Sequence, residues 1–523
     1  MGSRWTGAAP ALYGAALAFF VLVVILPPTY VLGYVAWGWE SVARVLSDPS
    51  VSSQVADAVS LSYQVAALTT ALDALFGVPL AWALTRRRVP GQRAVSTLID
   101  LPMTVPTSAR GLSVALYWMT LAGLTDPLLG LTALQVAITL PYMVRSVSSA
   151  LEGVDVTYEV AARTLGAVPL TAARTVTLPL ARGGVVAGSV LCFAQALSET
   201  GGATVFLSVI GAVRRPASVL IGGWKSQMVQ DPSLAPLLLP AAAALSLLMM
   251  ASSLAVLYAF KEVGIRLRLP EGRVLRELEA RLSSRPFPDL RDLAAGSFAL
   301  AALIAPSFYV SVSTAPAPPP GGFAEALAAS FAIAAAVTAV DLAAGLPLAV
   351  FIARRAPPLL SRALDSLVDV PLLVPTAALG FSLGLFWTSI MPDAPGALLV
   401  ALAHVSFTYP LVVRNLVAAL QSLDPGLEGA ARTLGADGLT TFREIVLPLI
   451  KPSMMAGAVL AFARSLNETG ATLAVCPEAI TAPVFIVSLV KAGAVDAAAA
   501  ATISLALVSF AAVYGLKRAA GVR

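Results

Sequence analysis

The chain has 523 residues, 58% of them hydrophobic and only 12% charged, against roughly 45–50% and 25% in soluble domains. With a mean hydropathy of +0.84, this composition excludes a disordered chain, a soluble enzyme and a nucleic-acid binder, although the net charge of +5 alone would have allowed the last. The chain reads as an all-α polytopic membrane protein.

A transmembrane helix needs about 20 mostly apolar residues. In chain order, spans are expected near 11–37, 56–84, 96–122, 128–150, 183–210 and 234–260. A second set is expected near 292–313, 324–353, 366–390, 396–420, 452–475 and 496–517, making twelve. The first follows one early cation, Arg4, and is too long for a cleaved signal peptide, so a retained signal-anchor is expected. The only long charged stretch, 261–291, divides the chain into a first half (1–260) and a second half (292–523).

Cation placement orients the spans. With the N-terminus in the cytoplasm, only Arg44, Arg214, Arg215, Lys225 and Lys491 fall in external loops and Arg110 and Arg464 inside spans. All other Lys and Arg, including Arg86-Arg87-Arg88 and those of 145–182, 261–291, 354–362 and 414–451, are then cytoplasmic. Both termini are expected in the cytoplasm of a multi-pass cell-membrane protein.

The halves repeat. Pro141, Arg145, Leu151 and Asp155 recur 269 positions later as Pro410, Arg414, Leu420 and Asp424. Arg163-Thr164-Leu165-Gly166-Ala167 recurs unchanged as Arg432-Thr433-Leu434-Gly435-Ala436, and Glu199-Thr200-Gly201 as Glu468-Thr469-Gly470. Gly77-Val78-Pro79-Leu80 and Arg86-Arg87 match Gly345-Leu346-Pro347-Leu348 and Arg354-Arg355 at an offset of 268. Six spans per copy is an even number, so the copies enter the membrane in the same orientation, as parallel repeats. Transport is the default function of two like-oriented bundles.

The strongest matches fall in the loop between the fourth and fifth spans of each copy. Asp155 and Asp424 are placed to N-cap a short helix, with Pro425 at its first position and Glu159 or Glu428 near the positive end of its dipole. Gly166 and Gly435 supply a left-handed stop. Ala161-Ala162 and Ala430-Ala431 leave one face flat enough to enter a groove, and Leu178-Pro179 and Leu447-Pro448 restart the next span.

Ala161-Ala162-Arg163-Thr164-Leu165-Gly166 followed by Val176-Thr177-Leu178-Pro179 resembles the EAA loop of ABC-importer permeases. Ala430-Ala431-Arg432-Thr433-Leu434-Gly435 with Ile445-Val446-Leu447-Pro448 resembles it again. The motif's first position is Val160 or Gly429 here, with the glutamates one residue earlier. The resemblance implies that Glu159, Ala161, Ala162, Gly166 and Pro179, with Glu428, Ala430, Ala431, Gly435 and Pro448, couple the chain to a cytoplasmic ABC ATPase, expected in two copies. It also implies that an extracytoplasmic solute-binding protein delivers the solute. A separate ATPase agrees with the sequence, because no Gly-x-x-x-x-Gly-Lys-Ser/Thr phosphate loop exists: Lys225-Ser226 has Trp224 where that glycine must stand.

Glu199, Thr200 and Gly201, with Glu468, Thr469 and Gly470, are candidates for the pathway or its outer gate. Each glutamate lies 20 residues after the Leu-Pro proline, about 30 Å along a helix, and ionisable groups at membrane depth usually face a wet interior. The alternative is that they only hold the bundle. The pair resembles the Gly-Glu-Phe-Gly stretch of molybdate and sulfate permeases, whereas the fused halves resemble permeases for ferric iron and thiamine. A small inorganic ion is expected, ferric iron slightly ahead of an oxyanion.

Other polar groups read as structural. Asp73 and Asp341, and Asp100 and Asp369, are expected to pair with arginines at the cytoplasmic edge. His404 is expected to be a satisfied interhelical donor, and Gly380-Phe381-Ser382-Leu383-Gly384 a packing face rather than a Gly-x-Ser-x-Gly nucleophile. Two cysteines and one histidine leave no metal site, no cofactor and no catalytic residue expected. The rival reading is a major-facilitator-type secondary transporter, which needs no ATPase. Its signature loop joins spans two and three, where only Arg86-Arg87 and Arg354-Arg355 match.

Overall fold

The computed structural model describes residues 8–87, 92–100, 102, 105–266, 276–284, 286–314 and 317–519. Arg4, residues 88–91 and 267–275, Arg285 and Pro316 lie outside the described residues. Among the described residues all regular structure is helical. The first copy of the repeat contains α1 (Pro10–Trp37), α2 (Pro49–Arg86), α3 (Thr107–Ala122) and α4 (Pro127–Glu152). It continues through α5 (Val156–Thr164), α6 (Pro169–Ser198), α7 (Gly201–Ile210) and α8 (Pro232–Phe260). After the linker helix α9 (Arg276–Ser283) come α10 (Phe287–Phe308), α11 (Phe323–Arg355), α12 (Thr376–Ile390) and α13 (Gly396–Ser422). The chain closes with α14 (Pro425–Thr433), α15 (Gly438–Leu466), α16 (Gly470–Val475) and α17 (Val495–Leu516).

Ten of these helices are long and apolar enough to cross a bilayer, and an eleventh span results if Pro358–Leu372 and α12 are joined across a 104° bend. Among the described residues, ten or eleven of the expected twelve spans are met by length and composition, and proline shortens the others. A proline lacks the N–H that continues a helix and its ring blocks the carbonyl four residues back. Pro106 and Pro375 stand at the N-caps of α3 and α12, confining them to 16 and 15 residues. The fifth span also stops early. Glu199 is extended, with φ −68° and ψ 124°, so α6 ends at Ser198 and the chain restarts as the separate helix α7. The second copy breaks in the same place, between Leu466 and Gly470.

Both copies start the fifth span with a widened turn. Leu178 N–H reaches back five residues to the Ala173 carbonyl, and Leu447 N–H to the Phe442 carbonyl. Pro179 and Pro448 follow immediately, so a shift to π register next to a residue that cannot donate is the local solution in each copy.

The helices form two compact units: Gln54–Ser218 with Ala251–Pro316, and Met1–Ser53 with Val219–Met250 and Ala317–Arg523. Each unit has its own apolar core, and repeated positions build both. Leu80, Val136, Met143, Val144, Val147, Leu151 and Ala181 are buried in the one, where Leu348, Val405, Val412, Val413, Leu416, Leu420 and Ile450 are buried in the other. The first unit's core is completed by Ala295, Ala299, Ala302 and Leu303 of α10, and the second's by Ala16, Phe20, Val23 and Val24 of α1. These sets are 279 positions apart, so α1 and α10 are equivalent, and each packs in the unit built mainly from the other sequence half.

Candidate functional site

The two loop helices have the same construction. The Asp155 carboxylate accepts the Thr157 N–H and the Asp424 carboxylate the Gly426 N–H, both at 2.8 Å, satisfying donors that the first turn leaves open. At the other end Gly166 and Gly435 have φ of +91° and +92°. Gly166 N–H reaches Arg163 and Ala167 N–H reaches Ala162, and the second copy repeats both bonds at Arg432 and Ala431. This closed end orders the last carbonyls and turns the chain back towards the next span.

No residue of either loop helix is buried. Ala161, Ala430 and both glycines are exposed, whereas Ala162, Ala431, Glu159 and Glu428 are half-buried against the loop base. Pro179 is half-buried and Pro448 exposed at the foot of α6 and α15. Leu165 and Leu434, just past each helix, are each 88% exposed. Two leucines held in water by a rigid turn form an apolar knob, which sequence reasoning quoted within the motif but did not single out. Their identical placement after the repeated Arg-Thr pair was the available signal.

An arginine from the preceding span anchors each loop. Arg86 donates to the Leu151 and Val154 carbonyls at 2.9 and 2.7 Å. Its counterpart Arg354 donates to the Leu423 carbonyl at 3.3 Å and pairs with Glu428 at 3.0 Å. Glu428 thus has an intrachain partner in addition to its place near the helix N-terminus. Further down, Arg145 pairs with Asp100 and Arg414 with Asp365 and Asp369. Asp73 and Asp341 differ from expectation. Both are fully buried and accept a hydroxyl, from Thr139 at 2.5 Å and from Thr408 at 2.6 Å. The threonines, one helix away, reach the aspartates where the cytoplasmic-edge arginines do not.

The second candidate set lies at the break between α6 and α7 and between α15 and α16. Glu199 and Glu468 are each 5% exposed, with Thr200, Gly201, Thr469 and Gly470 buried beside them. Glu199 Oε1 accepts the Gly202 N–H at 2.8 Å, and Glu468 Oε1 the Ala471 N–H at 3.0 Å. Each carboxylate therefore caps the short helix that follows it. Glu468 also pairs with Arg464 at 3.2 Å, while the buried Arg110 is within electrostatic reach of Glu199. His404 bridges the Ser465 and Thr472 hydroxyls at 2.8 and 2.9 Å.

The short helices cross their neighbours at glycine. A Cβ on Gly111 would stand 2.3 Å from the Gly202 carbonyl oxygen, and one on Gly380 2.7 Å from Ala471 Cα. Ser382, in the Gly-x-Ser-x-Gly pattern, lies in mid-helix bonded to Pro27, Pro28 and Val31, an arrangement with no strand-turn-helix elbow.

Residues 74–267 and 345–519 match the model of the binding-protein-dependent transport system inner membrane component. The chain is 30% identical over 268 residues to the sulfate transport system permease protein CysT of Salmonella typhimurium, covering 48% of this chain and 91% of that one. It is 32% identical over 208 residues to the molybdate/tungstate permease protein WtpB of Pyrococcus furiosus, covering 39% and 78%. It is 35% identical over 248 residues to the molybdenum permease protein ModB of Mycobacterium bovis, covering 45% and 86%. Each relative is matched over most of its own length but less than half of this chain.

Proposed function

This chain belongs to the family of binding-protein-dependent transport system inner membrane components, and on that premise we propose that it carries a tetrahedral oxyanion of the sulfate or molybdate kind. As a permease of an ABC importer it is not itself an ATPase, and the family works with an ATPase and a binding protein. Membership also removes the major-facilitator alternative. The sequence reading placed ferric iron slightly ahead; the relatives named for sulfate and molybdate move the preference to oxyanions.

The observation that carries the mechanism is the twofold occurrence of an exposed, capped helix ending in an 88%-exposed leucine. Residues 1–260 and 292–523 are the two permease halves, joined by 261–291, with both termini cytoplasmic. Two copies of a cytoplasmic ATPase grip α5 and α14, each taking the leucine knob and the Ala161-Ala162 or Ala430-Ala431 face. The Schellman ends and the arginine anchors keep the grip rigid, so that movement of the ATPase pair is passed into α6 and α15 instead of being lost in the loops. At the far ends of those helices stand Glu199-Thr200-Gly201 and Glu468-Thr469-Gly470, which line or gate the pathway. An extracytoplasmic binding protein supplies the oxyanion.

The test is uptake into vesicles holding the chain with its ATPase and binding protein. Uptake of molybdate or sulfate that requires ATP, with no uptake of ferric iron, is expected. ATP-dependent uptake of ferric iron and not of either oxyanion would overturn the substrate, and loss of ATPase retention only on removing segments other than α5 and α14 would overturn the docking sites.

A further inference from the structure

The two loops differ where each turns back into a span. In the second copy, Asp437 precedes the returning helix and its carboxylate accepts the Thr440 N–H at 2.7 Å, so the loop caps itself. The matching residue in the first copy is Val168, which has no side-chain acceptor. There the Leu170 N–H is bonded at 3.0 Å by the hydroxyl of Ser283, from the linker helix α9. One turn away Glu279 of α9, 4% exposed, accepts the Thr171 hydroxyl and pairs with Arg174. The counterpart of Arg174 is Arg443, whose side chain is 79% exposed and lies 3.8 Å from its own neighbour Glu444.

Acidic groups flanking the linker also bond to the first copy. Arg87 pairs with Asp289 at 3.1 Å and Asp292 at 2.7 Å in the first turns of α10. The first loop lacks a cap of its own at the position where the linker provides one.

We propose that α9 is a strap on the first loop, in which Ser283 and Glu279 position the turn behind α5, so that the two docking helices are held unequally. Both loops are anchored by an arginine of the preceding span, but the returning turn is capped by Asp437 within the loop in the second copy and by Ser283 of the linker helix in the first. Any displacement of α9 is therefore passed directly to the turn behind α5. This rests on reading α5 and α14 as the ATPase grips.

The test is amide exchange on the full-length chain in lipid nanodiscs, alone and with its ATPase, comparing residues 168–177 with 437–446. In the double variant Ser283→Ala/Glu279→Gln, exchange at 170–174 should accelerate about fivefold, the size of a lost helix cap, with 437–446 unchanged. Adding Val168→Asp, which installs the second copy's own cap, should restore protection at 170–171. Unchanged exchange, equal acceleration in both loops, or no restoration by Val168→Asp would overturn the strap. Failure of the docking reading looks different: exchange follows the strap as described, but the ATPase is retained after alanine replacement of Leu165 and Leu434.

Discussion

Ser382 accepts the N–H of Val31 at 3.1 Å although 351 positions separate them in sequence. Its hydroxyl also lies 2.8 Å from the Pro27 carbonyl, so it occupies the gap between two groups that would otherwise bond each other along α1. Ser113 does the same in the other unit, accepting the Val310 N–H at 2.9 Å and donating to the Pro306 carbonyl at 2.7 Å. A hydroxyl inserted into a helix ladder is a recognised cause of bending, and here each serine takes the place of one i to i+4 backbone bond, Pro27 to Val31 or Pro306 to Val310.

Replacing either serine by alanine is expected to leave a buried N–H and C=O without their shared partner. Each variant should lose about 1–3 kcal/mol, the cost of stranding a buried polar group. Thermal unfolding of the purified chain checks this, and an unchanged midpoint for both variants would mean that the ladder closes by itself.

Gly111 and Gly380 are expected to be intolerant of even one methyl group. At each, the added Cβ would meet backbone, 2.3 Å from the Gly202 oxygen or 2.7 Å from Ala471 Cα, and backbone cannot rotate away as a side-chain tip can. Overpacking of this kind costs about 1–3 kcal/mol and sometimes more. Gly183→Ala is the control, because nothing lies within 4 Å of its Cβ position. Yields of folded protein should fall for Gly111→Ala and Gly380→Ala and stay level for Gly183→Ala.

Gly429 offers the opposite case. It sits inside the exposed helix α14 with nothing within 4 Å of a Cβ. Gly429→Ala should stabilise that helix by about 0.5–1 kcal/mol through lower chain entropy in the unfolded state. Slower amide exchange across 425–433 is the readout. Since the resemblance to the permease loop departs at this residue, retained coupling in the variant would show that the docking surface lies elsewhere on the helix.

How much of this was legible beforehand depended on the range of the interaction. The caps at Asp155 and Asp424 and the stops at Gly166 and Gly435 are local, set within a few residues, and the sequence displays them directly. The Thr-Gly after Glu199 and Glu468 marks a place where a helix can pack closely or break; what the sequence does not display is the carboxylate folding back onto Gly202 or Ala471. The equivalence of α1 and α10 was hidden as well. It runs at an offset of 279 where the loops repeat at 269, and apolar residues identify such spans poorly until Ser113 and Ser382 are seen to bind them. Asp73 and Asp341 were legible as a pair but not by partner, since Thr139 and Thr408 are ordinary residues in apolar helices.

Asp155 makes the first cap sensitive to acid. Its bonds from the Thr157 N–H and hydroxyl stabilise the carboxylate and hold its pKa below the ordinary aspartate value of 3.8. A depressed folded value means that its contribution is complete above the unfolded value and is lost as pH falls through the folded one. Protection of the amides at 157–159, corrected for intrinsic exchange, should therefore hold above about pH 4 and decline below it. Asp155→Asn should flatten that dependence, and a decline of the same shape in the Asn variant would assign it to another group.

The glutamates at the helix breaks allow their two roles to be separated chemically. Glutamine keeps an oxygen that can accept the Gly202 or Ala471 N–H but removes the charge, whereas alanine removes both. If the groups serve only as caps, Glu199→Gln and Glu468→Gln should transport normally, and the alanine variants should lose about 1–2 kcal/mol of stability. If the charge works in the pathway, the glutamine pair should fold with its ATPase and lose at least about tenfold in uptake, equivalent to about 1.4 kcal/mol on the limiting barrier. Glu468 carries a complication that Arg464 resolves. Its ion pair at 3.2 Å is also lost in Glu468→Gln, leaving a positive charge at a site that the carboxylate had neutralised. For an oxyanion cargo this unmasked cation should raise retention of the anion, so Glu468→Gln is expected to bind molybdate or sulfate more tightly while turning over more slowly, and Glu468→Gln/Arg464→Gln should reverse the binding gain. Equilibrium binding of the radiolabelled oxyanion to the two variants decides it, and equal affinities would remove Glu468 and Arg464 from the path of the anion.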